Sequence, residues 1–186
     1  MRLAKWPFGL AFATYAGGVG IGAVLGRAIG AVQGLHGVQL TPRLDLDATA
    51  YLSHNLVVAG VLVGGGLTAG LVTALVLFGN GITVGTAAAL VQARYGWVVL
   101  LAGTFPHGVF ETAGLVSAAA LGFLLAGRVV ARVRRRRARP APPTTSGHES
   151  IWTIGGTMIA AVVALMVIAA VAEAQIASYV LLAFIR

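Results

Sequence analysis

Residues 106–127 read PHGVFETAGLVSAAALGFLLAG, a proline, an imidazole and a carboxylate at the head of an otherwise apolar run. As a helix this stretch is about 33 Å long at 1.5 Å per residue, enough for a bilayer core of about 30 Å. His107 and Glu111 are four apart, so one helix stacks them on one face. Ionisable groups inside such a segment are costly and turn toward a bundle interior or a cavity. The stretch therefore predicts a membrane helix with neighbours.

Composition agrees. The chain has 186 residues, 58% hydrophobic and only 10% charged, with a mean hydropathy of +0.91. An ordinary soluble domain is excluded. The apolar runs are long and continuous, which excludes a transmembrane barrel built from short alternating segments. The absence of cysteine removes disulfides, thiol nucleophiles and thiolate metal sites. The net charge of +8 invites a nucleic-acid partner, but its distribution argues for none. Seven of the thirteen basic residues lie between Arg128 and Arg139, beside an apolar run, as in a cytoplasmic loop obeying the positive-inside rule.

The expected fold is all-α, a polytopic transmembrane bundle forming one membrane domain over residues 1–186. Its spans are read as 7–33, 49–79, 80–104, 106–127 and 151–175, with a cytoplasmic Arg/Pro-rich linker at 128–150. Arg94-Tyr95-Gly96-Trp97 interrupts the third span. Residues 80–93 alone reach only about 21 Å, so that span is expected to be broken or re-entrant. Arg2 and Lys5 precede the first span, and the loop carrying Arg43, Asp45 and Asp47 has few basic residues. The N-terminus is thus expected in the cytoplasm and the C-terminus outside, in a multi-pass plasma-membrane protein. Lipid is its first partner.

Gly18, Gly22, Gly26 and Gly30 recur at every fourth position and leave one face of the first span nearly smooth. Such a face serves either a homodimer seam or close packing inside one chain. Gly60, Gly64, Gly65, Gly66 and Gly70 do the same in the second span and allow a kink. Asn80-Gly81 is read as a cytoplasmic turn that caps span three. The alternation of spans brings His54, Asn55, His107, Glu111 and Glu173 to the outer half of the bundle. Asn55 is expected to hydrogen-bond between helices, and Arg27 either snorkels to the headgroups or pairs with Glu111 or Glu173. His107, Glu111 and Glu173 are expected to pair structurally. Neither a metal nor a cofactor is expected, because no HExxH or paired-histidine helix is present.

The order of Asn55, Asn80-Gly81, Pro106-His107-Gly108-x-x-Glu111 and the late Glu173 resembles the stage II sporulation protein M family. The resemblance covers roughly Tyr51 to Gln175. It implies a five-span membrane protein and, from the sporulation member, a non-enzymatic scaffold that gathers envelope proteins such as peptidoglycan-degrading enzymes. Two departures stand out. The family often continues E-L-P-A where Glu111 here precedes Thr112-Ala113-Gly114, and no proline follows Glu173. A small transporter or channel using the outer polar cluster is the alternative function. An intramembrane enzyme using His107 and Glu111 is the third.

Overall fold

A computed structural model of the chain describes residues 5–34, 48–137, 151–177 and Ala183. Among these residues every regular element is helical. α1 is Lys5–Gln33, and α2 is Ala48–Gly64, tightened at its end into the 310 turn Gly65–Thr68. The helical run Leu71–Arg137 is two helices joined at Gly96, here α3 (71–95) and α4 (97–137). α5 is Ile151–Ala172 and widens into the π turn Glu173–Ala177. Five stretches are long and apolar enough to cross a membrane, so the chain is a multi-pass membrane protein. Arg2, the loop carrying Asp45 and residues 138–150 of the linker lie outside the described residues.

Two tight reversals set the topology. Ala69 (φ 55, ψ 24) and Gly70 (φ 87) take left-handed conformations that end α2 and its 310 turn. The Thr68 hydroxyl donates to Gly65 O at 2.6 Å and accepts from Val72 N at 3.1 Å, which caps the start of α3. The second reversal is Gly96 (φ 84, ψ 174), in a region open only to glycine. Beyond it the chain doubles back. Val84, Ala88, Leu100 and Thr104 line one cavity, although an unbroken helix would hold Val84 and Thr104 about 30 Å apart.

These reversals correct two expected boundaries. The stretch 49–79 is not one span. As a helix it would be about 46 Å long, half as long again as the bilayer core, and the chain spends its middle on the Ala69–Gly70 turn. The third span accordingly begins at Leu71, and Asn80-Gly81 lies well inside α3, not at a cytoplasmic turn. Asn80 Nδ2 instead donates to Val76 O at 2.9 Å, one turn back on its own helix. The interruption expected at Arg94–Trp97 is the turn between α3 and α4. The helix that carries the fourth span, α4, starts at Trp97, about ten residues before Pro106.

Small residues bring the helices close. α1 and α3 run in the same direction, and a Cβ on Gly22 or Gly85 would collide with the backbone oxygen of Ile82 or Val19. Gly18 and Gly81 face one another in the same seam, and Gly26 abuts Thr86 and Ala89. The Thr86 hydroxyl crosses the seam to Gly22 O at 3.1 Å. Three rungs of the first-span ladder are thus consumed inside the chain; Gly30 is half-buried. A second seam joins α2, its 310 turn and α4: a Cβ on Gly66 would strike Gly122 O, and one on Gly122 would strike Leu62 O. Buried Thr73 donates to Leu62 O at 2.8 Å and ties α3 to α2. Leu62, Leu77, Leu115, Ala118, Phe123 and Met166 fill the space between the seams.

Lys5, the Ala69–Gly70 turn and Arg128 lie at one end of the bundle. Gly127 packs 3.6 Å from Trp6 by its missing Cβ, and Gly70 abuts Ala126 and Phe123. The basic residues that flank spans one and four therefore share an end, as a single membrane face requires.

Candidate functional site

Glu111 lies about 24 Å along α4 from Gly127, far from the basic end. His107 sits one turn above it on the same face. α5 runs antiparallel to α4, with Met166 against Gly114, and this register carries Glu173 up to the two α4 residues. One ligand atom from each of His107, Glu111 and Glu173 falls within 4.8 Å of the others. All three side chains are half-buried. Glu173 opens the π turn, and single π turns are frequent at functional sites.

The surroundings are polar on a small scale. The Tyr15 hydroxyl from α1 meets the Thr112 hydroxyl of α4 at 3.3 Å. Tyr15 and His54 both lie within electrostatic reach of Glu111. Asn55 is 6% exposed on the α2 face that also buries Ala59 and Leu62. Its Nδ2 and His107 Nδ1 are enclosed and have no hydrogen-bond partner among the described residues. Arg27 is exposed on α1.

A cleft of about 570 Å³ opens beside the group, with Tyr15, His107, Gly108, Glu111 and Thr112 on its inner wall. Its rim carries Phe12, Phe105 and Val109, each more than half exposed. Such an apolar rim puts the mouth of the cleft on the outer side of the bundle, opening sideways between α1 and α4. An imidazole and two carboxylates at this spacing can share a proton, hydrogen-bond a polar group from the cleft, or ligate a divalent cation.

The motif residues divide into two groups. His107, Gly108 and Glu111 line the cleft, Glu173 joins His107 and Glu111 beside it, and Asn55 is buried on α2. Asn80 and Gly81 lie elsewhere: Gly81 serves the α1–α3 seam, against Tyr15 O and Gly18. Pro106 lies in α4, and its side chain is outside the described residues. Tyr15 and Thr112 escaped the sequence reading. Tyr15 lies three and seven residues before Gly18 and Gly22, so the ladder's own spacing points it inward. Thr112 has no such signal.

Comparison with curated proteins and with solved structures gives no significant match. The family model described as stage II sporulation protein M spans residues 11–178, from the first helix to the π turn that carries Glu173. This chain belongs to the stage II sporulation protein M family.

Proposed function

We propose that this protein is a non-enzymatic membrane scaffold that seats the transmembrane helix of a cell-envelope protein in the cleft between α1 and α4. The observation that carries this reading is the sideways-opening cleft itself. Between α2 and α4 the chain turns on Ala69–Gly70 and Gly96, so those reversals offer a partner little surface. Helix faces remain. An apolar rim of Phe12, Phe105 and Val109 suits a helix laid into a groove, and the polar wall behind it supplies selectivity through intramembrane hydrogen bonds. Family membership supports the same role.

The orientation belongs to this proposal. Lys5 and the arginines from Arg128 onward share the cytoplasmic end, and α5 ascends to a C-terminus outside. A second copy of the chain would have to associate through a surface other than the Gly18–Gly22–Gly26 face.

Crosslinked purification from the native membrane tests the scaffold. Stoichiometric envelope proteins should co-purify with the wild type and be lost when Val109 is replaced by tryptophan to fill the cleft. Purification without such proteins, together with solute flux in reconstituted liposomes, would replace the scaffold by a transporter working through the same cleft.

A further inference from the structure

We infer that His107, Glu111 and Glu173 bind a divalent transition-metal ion that staples α4 to the end of α5. The sequence led to the opposite expectation, because no HExxH or paired-histidine helix marks the group as a metal site. Three features support the site. The first is chemical: one imidazole and two carboxylates make a nitrogen–oxygen set suited to Zn²⁺, Fe²⁺ or Mn²⁺. Two carboxylates also match a dication in charge, which makes the group electrically neutral inside an apolar bundle.

The second is geometric. Ligands about 2.1 Å from a tetrahedral metal lie roughly 3.4 Å from one another. The three groups already fall within 4.8 Å, so side-chain movement on the order of 1 Å closes the set around an ion. His107 and Glu111, one helical turn apart on α4, are rigidly presented, and the wider π turn sets the direction of Glu173. Third, the enclosed polar atoms lack partners. His107 Nδ1 is buried and unpaired among the described residues, and so is Nδ2 of Asn55, itself 6% exposed. Ligation gives the histidine nitrogen a partner. Three protein ligands also leave a fourth position for water.

The site goes beyond the scaffold and stands or falls without it. The test uses tag-free, full-length protein in detergent, stripped with chelator and titrated with Zn²⁺ or Co²⁺ alone. We expect one tightly bound ion per chain by elemental analysis, a metal-dependent rise in Tm, and a Co²⁺ ligand-field spectrum. Glu173→Gln and His107→Ala should each lose the ion and the spectrum while keeping the Tm of the metal-free wild type. His36→Ala and His148→Ala should retain both. A wild type that binds no more metal than Glu173→Gln would overturn the site. So would full retention of the ion by the double variant His107→Ala/Glu173→Gln, which would mark the metal as adventitious.

Discussion

Replacing Gly22 by leucine tests the α1–α3 seam at its tightest point. A Cβ at Gly22 would overlap the carbonyl oxygen of Ile82 and stand 2.8 Å from its Cα. Carbon atoms in ordinary contact are about 3.5–4.0 Å apart, so the two backbones must separate by roughly 1 Å. Separation of that size forfeits a quarter to a half of each dispersion contact along the seam. It also pulls Thr86 Oγ1 from Gly22 O, now at 3.1 Å. Overpacking of this kind costs about 1–3 kcal/mol, and an interhelical hydrogen bond in a membrane about 0.6 kcal/mol. The expected loss is about 2–4 kcal/mol from the two together. Gly20 is the control, since a Cβ there meets nothing within 4 Å, and Gly20→Leu should stay within about 0.5 kcal/mol of wild type. Unfolding in mixed detergent micelles gives the stabilities, and light scattering gives the protein mass. If Gly22→Leu were as stable as wild type and merely converted a dimer to a monomer, the seam would lie between chains and the packing described here would be wrong.

Other substitutions probe the reversals, the core and the site. Thr73→Val keeps shape but removes the hydroxyl that reaches Leu62 O at 2.8 Å; a loss of about 1 kcal/mol in the same unfolding assay is expected, from an unpaired buried carbonyl. Gly96→Ala forces a Cβ into φ 84 and should cost about 1–3 kcal/mol; no loss would mean that α3 and α4 are not joined by a glycine turn. With chelator present, Glu111→Gln should retain most of the stability and Glu111→Leu should lose about 1–3 kcal/mol more, because leucine leaves polar neighbours unpaired; equal effects would show that Glu111 makes no polar contact. A Thr145→Cys variant should resist an impermeant thiol reagent applied from outside to intact cells, and ready labelling would reverse the proposed orientation.

The number of spans was legible because apolar runs of membrane length are a coarse signal, robust to errors of several residues at each end. Their boundaries were less so. Gly64-Gly65-Gly66 through Gly70 contains neither charge nor proline, and a turn made of small apolar residues resembles a kink. The length of 49–79 was the available warning. At Arg94–Trp97 a charge and two aromatic residues mark an interruption, but they suggest a break within the third span, whereas Gly96 ends one helix and starts the next. The first-span ladder showed that a backbone comes close but not which one, since a smooth face carries no address. The partner pattern was nonetheless present in Gly81 and Gly85, four apart in α3 and opposite Gly18 and Gly22. His107 and Glu111 could be paired by helical spacing, and Glu173 could be brought to them by counting spans. Tyr15 and Thr112 depend on the rotation of α1 against α4, which no local pattern records.

The most direct test of the scaffold is a photo-crosslinking amino acid placed at Val109, on the rim of the cleft, and separately at Val57, which is 66% exposed on α2. Irradiation of native membranes should give a discrete protein adduct at Val109, identifiable as an envelope protein, and only lipid adducts at Val57. Lipid adducts alone at both positions, or the same protein captured equally at each, would contradict a partner seated in the cleft.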